Sequence, residues 1–96
     1  MEIPQPHKLA EERLELAYQH SVQGQRLVEI KVEKARKWDE FKKEYKSDTA
    51  TEKAWERTEL GLEEMKLRAS MKSKELRMSA IKTMIEVLND EARNYY

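Results

Sequence analysis

Few side chains in this sequence have the types and spacing that catalysis or metal binding requires. His7 and His20 lie too far apart on one predicted helix to ligate the same ion, and no Glu is followed three residues later by a His, as a di-iron bundle site needs. Ser70, Ser73 and Ser79 have no histidine placed by sequence to activate them, and the chain contains no cysteine. Neither a Walker A motif nor a glycine-rich phosphate loop occurs. We therefore expect a non-enzymatic protein with no metal, no cofactor and no small-molecule substrate.

Basic side chains in the middle of the chain form a candidate contact surface for nucleic-acid phosphates or for an acidic protein. Its members are Arg26, Lys31, Lys66, Arg68, Lys72, Lys74 and Arg77. Their projection spreads around the predicted helix instead of following one ridge, which is typical of an ordinary solvated face. Nucleic-acid binding therefore stands as an alternative function.

The composition limits the classes of protein to which the chain can belong. Its 96 residues allow one domain, and 40% of them are charged, with 19 Lys and Arg against 19 Asp and Glu. Two Gly and two Pro disfavour a β-sandwich or barrel, which needs many turns. No apolar run is long enough to span a membrane, and the N-terminal segment lacks the features of a signal peptide. These observations predict a cytoplasmic protein.

The elements that would position these side chains are two long helices. Pro4 and Pro6 mark an irregular start, and segment 47–51 contains the interior cluster of turn and cap residues. Thr49 followed by Glu52 fits a capping box at the start of a helix. The pattern predicts an all-α fold, a long antiparallel helical hairpin that forms a single domain over 1–96. Its two helices, of about 40 residues each, are predicted over 7–46 and 50–92, joined by a turn at 47–50.

The first predicted helix carries an apolar stripe at helical spacing. The stripe consists of Leu9, Leu16, Leu27, Ile30, Trp38, Phe41 and Tyr45. It passes over His20 and Gln23, so we expect a polar or partly open layer there, with His20 at the core or at an interface.

The second predicted helix carries two apolar stripes on nearly opposite sides. One consists of Leu60, Leu67, Met71, Met78, Ile81, Ile85 and Leu88. The other contains the predicted self-association residues Trp55, Leu62, Met65, Leu76 and Val87, together with Ala69 and Ala80. One hairpin covers only one side of this helix, so the second stripe needs another protein surface. A homodimer, arranged as a four-helix bundle or coiled-coil assembly, is the simplest source of that surface. The alternative is that this second stripe remains partly exposed to solvent.

The run ATEKAWERT at 50–58, followed by a helix rich in Leu, Met and Lys that extends to 94, resembles small phage-encoded helical proteins. The resemblance covers about the second half of the chain and contains no catalytic motif. It implies an accessory role in phage DNA metabolism, or the inhibition of a host nucleic-acid-binding or defence complex. From the residues themselves we expect a self-associating hairpin that binds a macromolecular partner.

Overall fold

The computed structural model describes residues 5–94 and contains two long helices and one short helix. The long helices are α1 (Pro6–Glu44) and α3 (Glu59–Asn94), and the short helix α2 (Asp48–Glu56) lies between them. Glu12 contacts Arg77 and Arg26 contacts Glu63, so α1 and α3 run antiparallel. The described chain measures 68 × 22 × 21 Å. The predicted all-α hairpin is confirmed.

Helix α1 begins and ends where local chemistry favours it. Pro6 occupies the first turn, where its missing N–H removes no intrahelical hydrogen bond. Lys42 and Lys43 lie in the last turn, where positive charge interacts favourably with the helix dipole. The helix continues through Gly24 without a break, and a Cβ atom built at Gly24 would lie 3.8 Å from Met71 Cε.

The N-terminus of α2 is capped by Ser47, not by the predicted pair Thr49 and Glu52. Ser47 has an extended backbone, and its Oγ accepts a hydrogen bond from the Ala50 N–H at 3.1 Å. The helix therefore begins at Asp48, and Thr49 already lies inside its first turn. Because a capping residue needs a non-helical backbone, this earlier start removes Thr49 from the capping role.

A second break divides the helix that the sequence predicts to be continuous over 50–92. Helix α2 ends at Glu56 and α3 begins at Glu59, with Arg57 and Thr58 between them. Thr58 Oγ1 accepts a hydrogen bond from the Gly61 N–H at 3.0 Å and donates one to the Trp55 carbonyl at 2.6 Å. A Cβ atom at Gly61 would lie 1.9 Å from that carbonyl oxygen, so the corner needs glycine at this position.

The core follows the contact between the two long helices and the inner side of α2. Its buried apolar residues are Leu9, Leu27, Ile30, Trp55 and Ile81. The remaining members of the first stripe, from Leu16 to Tyr45, are half-buried, and so are Leu67 and Met71 of α3. These stripes therefore face each other as predicted. None of the helices within 5–94 combines the length and apolar composition needed to cross a membrane.

Candidate interaction surfaces

The outer face of α3, which we define as Leu62, Met65, Leu76 and Val87, lies away from α1. These four side chains are 48%, 52%, 61% and 49% exposed. By helical projection they lie nearly opposite the α3 residues that pack on α1, such as Met71 and Ile81. The helix is therefore apolar on two sides, and the hairpin covers only one of them.

Trp55 does not belong to this exposed face, although the sequence places it there. Its side chain is 2% exposed, and its ring packs edge-on against Phe41, with 6.2 Å between the ring centroids. The break at 57–58 is the physical reason, because a continuous helix would carry Trp55 on the same side as Leu62. The other four predicted self-association residues remain on the surface.

Charged residues beside the outer face of α3 are divided by sign along the helix. The half nearer the corner carries Lys66, Arg68 and Lys72, and the half nearer the C-terminal end carries Glu86, Asp90 and Glu91. All six side chains are exposed. The face is consequently basic at one end and acidic at the other.

Most of the predicted basic contact residues are bound within the chain. Arg77 donates two hydrogen bonds to the Glu12 carboxylate, at 2.9 and 3.0 Å. Arg26 donates to Glu63 at 2.9 Å and to Glu29 at 3.0 Å. Two further members, Arg68 and Lys74, pair with Glu64 at 3.5 Å and with Gln23 at 2.8 Å.

The two cross-helix arginine pairs also shift the acid–base equilibria of their members. The Arg77 hydrogen bond holds the pKa of Glu12 below its ordinary value, and the Arg26 hydrogen bond lowers the pKa of Glu63. The same bonds raise the pKa of Arg26 and of Arg77. Within residues 5–94, Lys31, Lys66 and Lys72 are exposed and lie outside every ion pair. The structure therefore does not assemble the seven predicted basic residues into one free patch.

The middle of the hairpin contains a polar layer, as the sequence predicts. His20 Nε2 lies 3.0 Å from Glu75 Oε1, and Gln23 donates to Ser70 Oγ at 2.9 Å. Lys74 also donates to Gln23 at 2.8 Å. These contacts place His20 at the interface between α1 and α3, where its side chain is 28% exposed.

A charged cluster lies beside the corner, where basic residues late in the first predicted helix face the acidic start of the second, as the order of charges in the sequence predicts. Lys34 Nζ lies 2.7 Å from Glu52 and 3.9 Å from Glu64, and it also approaches the rings of Trp38 and Trp55 at 5.4 and 5.7 Å. Glu64 is buried, and its Oε2 atom has no hydrogen-bond partner within the described residues. The order of charges along the two predicted helices is the signal for this cluster, and the burial of Glu64 follows from its core position on α3.

A second exposed apolar face, on α1, is also absent from the predictions. We call it the outer face of α1, and it consists of Leu14, Tyr18, Val22, Val28 and Val32. By projection these residues lie nearly opposite the core residues Leu27 and Leu9. The helical spacing of these five residues could have indicated this face, but the polar residues between them obscure the pattern.

Comparisons with protein-family models, with curated proteins and with solved structures yielded no match for this chain.

Proposed function

We propose that the protein is a non-enzymatic interaction protein, a helical hairpin that self-associates through the outer face of α3 and binds a macromolecular partner. The observation that carries the proposal is the exposure of Leu62, Met65, Leu76 and Val87 on one face of a helix whose opposite face already packs on α1. Large exposed apolar patches on proteins are typical of interaction sites, because burying them is favourable.

The charge distribution along α3 supports a second copy as the first occupant of this face. In a two-fold contact the same surface meets itself, so an antiparallel α3 pair brings the basic half of one copy to the acidic half of the other. With the axis near Ser79, Lys72 faces Glu86 of the other copy, and Arg68 faces Asp90. A parallel pairing places like charges together instead, which is unfavourable.

The position of the outer face determines the shape of such an assembly. In each hairpin the outer face of α3 lies opposite its core face. Two hairpins joined through α3 therefore place their four helices side by side in one layer. This flat arrangement differs from the four-helix bundle expected from the sequence, in which four helices surround one core.

Sedimentation of charge-reversed variants tests the proposed contact. Lys72→Glu places a negative charge opposite Glu86, so we expect a lower average mass at a given protein concentration. Adding Glu86→Lys restores opposite charges at both ends of the two-fold contact and should restore the mass. The control Lys37→Glu makes the same change in net charge on an exposed part of α1 away from this face. Failure of the second substitution to restore the mass contradicts the antiparallel register.

Removal of apolar area tests the face itself. We expect the double variant Leu62→Glu and Leu76→Glu to lower the average mass, because each copy then carries two charges on the apolar face, one of them at Leu76 beside the two-fold axis. An unchanged mass, with helicity retained in circular dichroism, contradicts the proposed self-association.

Nucleic-acid binding is the alternative function, and the internal ion pairs weaken the case for it. Arg26 and Arg77 are held by carboxylates, and Arg68 and Lys74 also have partners, so within residues 5–94 the exposed members without an ion pair are Lys31, Lys66 and Lys72. Phosphate contacts by a few lysines give weak binding that decreases steeply with salt. A gel-shift titration at low salt that detects no complex with single- or double-stranded DNA or RNA removes this alternative.

Inhibition of a host complex, which the phage resemblance implies, is the second alternative. The acidic residues that would serve it are Glu59, Glu63 and Glu64, but Glu63 is bound to Arg26 and Glu64 is buried. Capture of partners from a bacterial lysate, compared between wild type and a Glu59→Lys variant, tests this reading. Equal recovery of every captured protein argues against a role for the acidic cluster.

A further inference from the structure

The outer face of α1 provides a second apolar surface on the side of the hairpin opposite α3. Its five side chains are between 45% and 73% exposed, with Leu14 the most exposed, so this face is at least comparable in exposure to the outer face of α3. From Leu14 to Val32 the face extends over about 27 Å at about 1.5 Å per residue. A contact of this length is comparable to the packing of two helices in a small bundle.

We propose that a second copy of the chain covers this face through an antiparallel, two-fold contact between two α1 helices. The spacing of the apolar residues is symmetric about Gln23. Leu14 and Val32 each lie nine residues from it, and Tyr18 and Val28 each lie five residues from it. In an antiparallel pair centred there, Leu14 of one copy meets Val32 of the other, and Tyr18 meets Val28.

Charges at the ends of the face agree with the same register. Glu11 and Arg36 lie twelve and thirteen residues from Gln23 on opposite sides, and both are exposed. An antiparallel contact therefore brings Glu11 of one copy beside Arg36 of the other at both ends. A parallel contact would place Glu11 beside Glu11, which is unfavourable.

Carboxylates come together at the edge of this contact. Glu15 of one copy faces Lys31 of the other and lies between its Glu29 and Glu33. Arg26 donates to Glu29 at 3.0 Å, and Arg36 donates to Glu33 at 3.0 Å. These arginines, together with Lys31, offset part of the repulsion between the carboxylates.

The α1 contact does not depend on the α3 contact. The assembly that forms when both contacts are present does rest on the proposed function. Two different two-fold contacts on opposite sides of one hairpin do not close on themselves. Alternating α3 and α1 contacts instead extend into a row of hairpins, whose length increases with protein concentration.

Sedimentation of face-specific variants separates the two contacts. The α1 variant carries Leu14→Glu and Val28→Glu, and the α3 variant carries Leu62→Glu and Leu76→Glu. We expect species larger than dimers for the wild type, dimers for each variant and monomers when all four substitutions are combined. Lys37→Glu, which changes the net charge by the same amount as either variant, should sediment as the wild type does. Circular dichroism establishes that each variant remains helical.

Each departure from this pattern has a definite meaning. A monomeric α3 variant together with a dimeric α1 variant overturns the α1 contact and leaves the proposed function intact. A monomeric α1 variant together with a dimeric α3 variant supports the α1 contact and overturns the proposed α3 contact. If both variants are monomeric, α1 packs on α3 of the next copy, and the two-fold α1 contact is wrong.

Thiol crosslinking tests the register directly, since the natural chain contains no cysteine. Leu14→Cys chains are mixed with Val32→Cys chains and treated with a short bifunctional thiol reagent. We expect the mixed product to exceed each product of a single variant by at least about tenfold, because only the mixed pair meets in the antiparallel contact. Predominant Leu14→Cys self-crosslinking would establish a parallel contact and overturn the inference.

Discussion

Replacing Gly61 with alanine tests the corner between α2 and α3 more sharply than any other single change. A Cβ atom there would lie 1.9 Å from the Trp55 carbonyl oxygen and 2.8 Å from its carbon. Both neighbours are backbone atoms, so no side-chain rotation can remove the overlap. The corner must open, and Trp55 must then leave its place against Phe41.

The expected cost follows from the contacts that the open corner loses. Removing Trp55 from the core costs about 3 kcal/mol, by analogy with large-to-small core substitutions. Losing the Thr58 cap costs about 1 kcal/mol. The higher helix propensity of alanine returns about 1 kcal/mol. The net destabilisation is therefore about 3 kcal/mol, or about 15 °C in the unfolding midpoint for a chain of this size.

Gly24→Ala is the matched control, since it makes the same chemical change within a helix. A Cβ atom at Gly24 would lie 3.8 Å from Met71 Cε, which is an ordinary van der Waals distance. We expect this variant to be more stable than the wild type by about 1 kcal/mol.

Urea unfolding monitored by circular dichroism measures both changes, provided that all proteins are compared at one concentration, because self-association contributes to stability. Tryptophan fluorescence in a Trp38→Phe background reports the environment of Trp55 alone. We expect a red-shifted emission for Gly61→Ala before global unfolding. Equal stabilities of Gly61→Ala and Gly24→Ala, with unchanged emission, would refute the role assigned to the corner.

Three further predictions concern the caps and the charges. Ser47→Ala should destabilise the chain by about 1 kcal/mol and Thr49→Ala by less than about 0.5 kcal/mol, because only Ser47 caps α2. Urea unfolding measures both variants, and a larger loss of stability for Thr49→Ala would support the capping box instead. The Glu12→Gln and Glu63→Gln double variant should be less stable than the wild type at neutral pH. Arginine lowers the folded pKa of both carboxylates, so their contribution is complete above the ordinary pKa of 4.5 and is lost as the pH falls through the lowered values. The thermal unfolding midpoints of the double variant and the wild type should therefore converge in acid. A difference between the midpoints that stays constant with pH argues against a stabilising role for these pairs. Lys34→Met should cost about 1 kcal/mol in urea unfolding, because it removes the cation bound to Glu52 and one of the two cations beside the buried Glu64, whereas Arg68 remains 3.5 Å from Glu64. A neutral effect contradicts that electrostatic account.

The hairpin could be predicted from the sequence because its signals are local. Leu9, Leu27 and Ile30 recur at helical spacing, and that spacing alone determines which side of α1 is apolar. The position of the turn follows from its cluster of cap residues. The choice of Ser47 over Thr49 did not follow, because both residue types cap helices and the choice depends on where the backbone becomes helical.

The corner at 57–58 could not be predicted in the same way. Thr58 and Gly61 are both compatible with a continuing helix, at a modest propensity cost. What separates α2 from α3 is the close approach of Gly61 to the Trp55 carbonyl, and this approach is visible only once the chain is folded. The burial of Trp55 depends on the same event.

The sequence by itself determined the all-helical hairpin, the place of its turn and the core faces of the two long helices, since these signals depend on neighbouring residues. The tertiary structure decided which apolar faces remain open and which charges remain free. Leu62 stays on the surface whereas Trp55 is buried, and Arg26 and Arg77 are bound by carboxylates distant in sequence. These outcomes depend on the register between α1 and α3, which is set by the packing of both helices together and which neither helix encodes alone.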